Sequence, residues 1–213
     1  MKQLIAALIL SSGAVTTPVA TSYSVDMGKS SLGFTANQSG GDVDGRFEKF
    51  DAQIVFADAD LDGSSFKVEI DTGSVNTQDD DRDTLLRGED LFDVSKYPKA
   101  RFVTTGFTRK SPGSYEAQGK LTIRDVTRDI RLPFTFTTAQ EGGQAVGWLK
   151  GGVTLKRLDF GVGQGDWKDT SEVANEVQVK FSLRLLPATT TGSAGEQPAK
   201  KPKPVKPANP GNN

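Results

Sequence analysis

An all-β fold is what this sequence predicts: eight antiparallel strands closing as an up-and-down barrel, with one short helix. Three observations carry the prediction. Apolar and charged residues alternate with a period of two through most of the chain, the pattern of strands with one dry face and one wet face. Only the segment Asp83–Phe92 reads as helical. The alternating segments follow each other closely, which favours neighbouring hairpins and a closed barrel over a sandwich.

The chain opens MKQLIAALILSSGAVTTPVAT. One lysine, the apolar run Leu4–Leu10 and small residues ending Pro18-Val19-Ala20 give the order of a secretory signal peptide, so residues 1–20 are expected to be a leader cut after Ala20. The apolar run is too short to span a bilayer. With no cysteine in the chain, neither a lipid-bearing cysteine nor a disulfide framework is available. Residues 21–187 must therefore rely on a hydrophobic core, and their number suffices to form one.

Within that domain the first strands are Leu32–Ala36 and Phe47–Phe56. In Phe66-Lys67-Val68-Glu69-Ile70-Asp71 every apolar residue points one way and every charge the other. The helix follows in DRDTLLRGEDLF, with Asp81 or Asp83 as candidate N-cap and Gly88 keeping it short. Pro98 in KYPKARF returns the chain to a strand over Ala100–Phe107. Tyr115, Ala117, Gly119, Leu121 and Ile123 then face Glu116, Gln118, Lys120, Thr122 and Arg124 across the next strand. Ile130–Phe136 and Ala145–Leu155 come after it. In the last and longest strand Val173, Val177, Val179, Phe181, Leu183 and Leu185 face inward. From Ala188 the chain reads ATTTGSAGEQPAKKPKPVKPANPGNN, too poor in apolar residues to offset its ordering entropy. Residues 188–213 are expected to be a disordered, partly polyproline-II, cationic tail.

An eight-stranded barrel is either packed solid or holds one small ligand. Ala36, Ala52, Ala117, Gly119, Gly147, Gly151 and Gly152 read as inward, and small inward residues favour a cavity. The competing reading is that the glycines relieve strand curvature.

Composition narrows the chemistry. Residues 21–187 hold 21 of the 26 Lys and Arg but 26 of the 27 Asp and Glu, a net charge near −5. An acidic domain without a basic stripe argues against a nucleic-acid ligand. The absence of histidine removes the usual general base and the commonest metal ligand. TQDDDRD offers Asp79, Asp81 and Asp83 at calcium-loop spacing, but the sixth position is Thr84 where glycine is required and the twelfth is Asp90; a solvated loop before a helix is the better reading. Glu69 and Asp71 lie on one side of a strand, as in sandwich glycosidases, yet on the alternation they face solvent. DFG (Asp159–Gly161) and GVGQG (Gly161–Gly165) look like nucleotide motifs. The glycines precede a strand where a phosphate loop would open a helix, so they read as positive-φ positions or a bulge at the barrel rim. No metal site and no catalytic residue is expected.

The ordered segments SYSVD, GRFEKFDAQIVF, RDTLLRGEDLFDVSKYPKARF, GKLTIRDVTRDIRLPFTF and LKRLDFGVGQGDWKDTSEVANEVQVKF resemble the YceI-like polyisoprenoid-binding family over about 22–186. The resemblance implies a lipocalin-like barrel whose elongated hydrophobic channel holds an isoprenoid chain, that of a quinone or polyprenyl lipid. It also implies export to the bacterial periplasm, no catalysis, no required cofactor beyond the bound lipid, and dimers in some members. The periplasmic subgroup is often encoded beside, or fused to, a cytochrome b561-type membrane protein. A module regulating such a partner is the alternative function, and a glycosidase using Glu69 and Asp71 is a second rival.

Resemblance and strand parity together put Phe34, Phe47, Phe56, Phe66, Ile70 and Phe102 around the channel. The same holds for Leu121, Ile123, Phe134, Phe136, Val179 and Phe181. Of the two tryptophans, Trp167 beside the glycine turn is the better rim candidate, ahead of Trp148. Arg82 and Asp83 match the family's RD pair and are expected to pin the helix. Where many members carry a histidine after the first strand's phenylalanine, GFTANQSGGDVDG has Asn37 and Gln38, so no role of that histidine transfers.

Overall fold

The computed structural model describes residues 20–188; the expected leader, apart from Ala20, and the tail beyond Ala188 lie outside the described residues. Eleven strand segments build eight barrel strands. β1 (Thr21–Val25) and β2 (Ser31–Gln38) are two halves of the first, separated by the 3-10 turn Met27–Lys29. β3 (Gly41–Phe47) and β4 (Phe50–Phe56) are two halves of the second. β5 (Ser65–Asp71) leads through β6 (Val75–Asn76), a two-residue bridge onto β3, and α1 (Asp80–Arg87) to β7 (Lys99–Ser111). β8 (Ser114–Ile123), β9 (Val126–Glu141), β10 (Gln144–Lys156) and β11 (Val173–Pro187) complete the set. Every pairing is antiparallel, and β11 closes the barrel by pairing with β1 at Val25↔Leu185 and with β2 at Val179↔Phe34.

Two-residue turns join most neighbours. Ser39-Gly40 and Gly142-Gly143 both have positive φ at the two central positions, the twist that matches flanking strands. The turns of β4–β5, β7–β8 and β9–β10 gather at one end. The β2–β3 and β8–β9 turns gather at the other, with the α1 connection and the 157–172 connection.

The alternation locates most strands and misses four details, the first being β1, since no strand is expected before Leu32. GDVDGRF, lying between the expected strands Leu32–Ala36 and Phe47–Phe56, is itself a strand, because it pairs with β2 from Gly33↔Arg46 to Gln38↔Gly41. The strand expected over Phe47–Phe56 begins at Phe50, after a bend at Glu48-Lys49. The helix is Asp80–Arg87 rather than Asp83–Phe92. Its cap is Asp79, whose carboxylate accepts from the Arg82 amide at 3.0 Å. Asp83 is unavailable as a cap because it is buried, accepting from the Thr77 amide at 2.9 Å and the Thr77 hydroxyl at 2.7 Å. Gly88 ends the helix and the chain turns inward at Leu91.

The interior divides in two. At the end holding the β4–β5, β7–β8 and β9–β10 turns, Phe56 is ringed by Phe66, Phe107, Tyr115, Phe134 and Phe136 with centroids 4.9 to 6.0 Å away, and Tyr23 packs on Phe136. These contacts are edge-on or tilted, the arrangement ring quadrupoles favour. The β4–β5 loop is tied over this plug by Asp58, which accepts from the Tyr115 hydroxyl at 2.5 Å and pairs with Arg109. Burial first, and then Asp58, pushes the Tyr115 hydroxyl pKa above its usual value.

Candidate functional site

The other half of the barrel is hollow. A cavity of about 460 Å³, within the range of small-molecule sites, runs from the aromatic plug to the opposite end. Its polar lining residues are Gln38, Thr72, Thr77, Asp79, Asp81, Arg82 and Arg157. All belong to segments at the open end, and the deeper wall is apolar, made of residues such as Ile54, Val68, Leu149 and Leu183.

Phe34, Phe47, Phe66, Ile70, Phe102, Leu121, Ile123, Trp167, Val179 and Phe181 stand on this wall. Phe56, Phe134 and Phe136 do not, and their expected place in the lining is corrected: they form the plug that ends the cavity. Parity put them on the inner face rightly, but the inner face is filled at their level. The reading of the small residues also changes. A methyl added at Gly119 would stand 2.5 Å from the Phe102 ring, one at Gly147 3.0 Å from Phe136, and one at Gly151 2.8 Å from Phe181. These glycines are seats for rings on neighbouring strands rather than empty volume. Gly152 faces outward, against Lys180 and the Val179 carbonyl. Of the small residues expected to leave space, Ala36 borders the cavity.

Sequence reading missed Leu85, Leu86, Leu91 and Phe92 in the wall, because a strand period does not reach the α1 connection. It also missed Arg157. This residue is 7 % exposed and its guanidinium has no carboxylate partner among the described residues. It donates to the carbonyls of Val162, Asp169, Val173 and Ala174 at 2.8 to 3.4 Å, and burial holds its pKa below the usual arginine value. Arginine is the residue that stays charged under such burial, so Arg157 acts as a hub for the 157–173 connection. Gly163 lies directly against it, where any side chain would meet the guanidinium.

The glycine loop has positive φ at Gly161, Gly163 and Gly165, as expected. Four of its amides are taken: those of Gly163 and Gln164 both donate to the Asp90 carbonyl, at 2.9 and 2.7 Å, and those of Gly161 and Val162 to the carbonyls of Leu158 and Arg157. The loop thus fastens the two long connections beside the mouth to each other. Asn37 points outward and donates to Asp42 at 3.2 Å, whereas Gln38 lies on the cavity wall. Arg82 and Asp83 do not pair together; Arg82 reaches Asp79 at 3.4 Å and Asp83 faces Arg87 at 3.9 Å. Trp148 sits on the outer face, donating to Glu141 at 3.1 Å. Glu69 is outside too, held below the usual carboxylate range chiefly by Arg101, and Asp71 caps a 3-10 turn through the Gly73 amide. Among the described residues no acidic cluster is arranged to hold a metal ion.

A family profile described as the YceI-like domain matches residues 23–185. The chain belongs to the YceI-like family. A UPF0312 protein of Vibrio cholerae is 35% identical over 136 residues, 62% of this chain and 71% of that relative. A UPF0312 protein of Shewanella denitrificans is 31% identical over 168 residues, 76% and 87% of the two chains. Among solved structures, BcnA of Burkholderia cenocepacia superposes with a TM-score of 0.70 at 36% identity, covering 75% of this chain and 98% of that one. A polyisoprenoid binding domain from Saccharophagus degradans shares the fold, with a TM-score of 0.58 at 17% identity over 78% and 99% of the two chains. In this YceI-like barrel the plug, the hollow half and the polar mouth are read directly from the packing.

Proposed function

We propose that this YceI-like chain is an exported, non-catalytic carrier that holds an isoprenoid lipid, a quinone or a polyprenyl chain, in its barrel. The observation that carries the reading is the blind apolar cavity of about 460 Å³ whose polar residues collect at the mouth. That arrangement fits a ligand with a long hydrocarbon tail and a polar end. Each five-carbon unit placed in it gains about 4 kcal/mol gross, at ~0.8 kcal/mol per carbon, so a few units outweigh the cost of immobilisation. The fold shared with a polyisoprenoid binding domain supports the same reading. Binding and release need no reacting group, and the cavity wall has none beyond the two carboxylates and two guanidinium groups at its mouth. Export rests on the leader-like residues 1–20. A cytochrome b561-type partner and a homodimer rest on the family resemblance alone.

The test is native mass spectrometry of the protein purified from its native cell envelope, followed by solvent extraction and lipid identification. A stoichiometric adduct that extracts as a prenyl lipid is the expected result. Repeated preparations without bound lipid, and without uptake of added prenyl lipid, would sink the proposal.

A further inference from the structure

Resting on the carrier reading, we infer that the mouth admits an uncharged, hydrogen-bonding headgroup and discriminates against phosphorylated ones. Headgroup choice depends on which charges at the mouth are free. Two cations line it. Arg157 is saturated by four backbone carbonyls and buried, so it cannot turn toward a ligand phosphate. Arg82 is engaged by Asp79 at 3.4 Å. The N-terminus of α1 would otherwise attract an anion, but the Asp79 carboxylate already takes the Arg82 amide, and Asp80, Asp81 and Asp83 fill the first turn. In the glycine loop the Gly163 and Gln164 amides are spent on the Asp90 carbonyl, and those of Gly161 and Val162 on Leu158 and Arg157. The two guanidinium groups at the mouth and the Gly163 and Gln164 amides are therefore engaged by the protein itself.

What remains free is neutral or negative. Asp81 lines the cavity and makes no ion pair or side-chain hydrogen bond among the described residues. The 157–172 connection adds Asp166, Asp169 and Glu172 against Lys168 and the carbonyl-bound Arg157, while the neighbouring Arg87 and Arg124 are also held by backbone carbonyls. Gln38 and Trp167 line the same opening. Neither the Gln38 amide nor the Trp167 indole N–H has a protein partner among the described residues, and neither is sealed from solvent. An amide and an indole offer donors and one acceptor to a carbonyl or hydroxyl, while the carboxylates repel a phosphate. Such repulsion acts between partly exposed charges and is weakened by salt.

Three probes sharing one tail separate the possibilities: farnesol, farnesyl phosphate and farnesyl diphosphate, titrated calorimetrically into the purified protein. The expected order is farnesol tightest and the diphosphate weakest, with about a tenfold gap at low ionic strength. The gap should narrow as salt rises from roughly 20 to 500 mM. In Asp81→Lys it should narrow at low salt, with thermal melting confirming that this exposed position leaves the fold intact. Equal or tighter binding of the phosphorylated probes overturns the inference and leaves the carrier reading standing. A preference for farnesol indifferent to both salt and Asp81→Lys overturns it as well, since the acidic mouth would not be the cause. Failure of all three probes to bind overturns the carrier reading and this inference with it.

Discussion

A single methyl group at Gly119 would stand 2.5 Å from the Phe102 ring and 2.7 Å from the Val103 carbonyl oxygen. Gly119→Ala should therefore destabilise the barrel by about 1–3 kcal/mol through overpacking, read from denaturant melts. Because Phe102 supplies half of the clash, Phe102→Leu in the Gly119→Ala background should cost less than its effect in the native chain, a coupling of at least about 0.5 kcal/mol. At the plug, Phe56→Ala removes the ring that five others surround and should cost roughly 3–5 kcal/mol. Parity along one strand tells which side chains point inward, and it did so for Phe102 and Phe56 alike. It cannot tell that one lines a cavity and the other fills the barrel. That depends on which ring lies across from which glycine, a matter of cross-strand register that no single segment encodes.

The connections between elements were the least legible part of the chain, and two buried arginines explain why. Arg157 and Arg184 each occupy a position that strand or loop patterning marks as polar and exposed, yet each is 7 % exposed. Arg184 lies on the outer face of β11, covered by the 3-10 turn after β1 and by the end of β9. It donates to Asp26 at 2.7 Å and to Glu141 at 3.0 Å. Trp148 first, and then Arg184, hold the Glu141 carboxyl below its usual pKa. A depressed folded-state pKa contributes stability that is present above the ordinary glutamate pKa and is lost as pH falls through the folded value. Melting temperature should thus drop on acidification from roughly pH 7 to pH 3 less steeply in Glu141→Gln than in the native chain; parallel curves would rule out this latch as an acid-sensitive element. For the 157–173 connection, Arg157→Met withdraws a charged donor from four carbonyls. It should cost about 3 kcal/mol and raise amide exchange in residues 157–173 ahead of the barrel strands. The helix was displaced by a few residues from its expected place for a related reason: a run of acidic residues offers several caps, and burial of Asp83 against Thr77 leaves Asp79 to serve.

Taken whole, the barrel spends one end on stability and leaves the other empty. Eight strands enclose barely enough room for side chains. Seven aromatic residues fill the level of Tyr23, Phe56 and Phe134, and aliphatic residues together with eight phenylalanines and Trp167 surround the hollow level above it. The barrel and the inward face were legible in the period of two; the division between solid and hollow was not, and it is the division that gives the molecule a binding site. The central claim is that a prenyl chain occupies the hollow half. It is tested most directly by calorimetric titration of geranylgeraniol into the native protein and into Ala36→Trp, whose added ring would stand in the cavity just inside the mouth. The account predicts saturable one-to-one binding to the native chain, at least about tenfold weaker in the variant, with melting temperatures little changed. Equal affinity in the two proteins, or no binding by the native one, would contradict it.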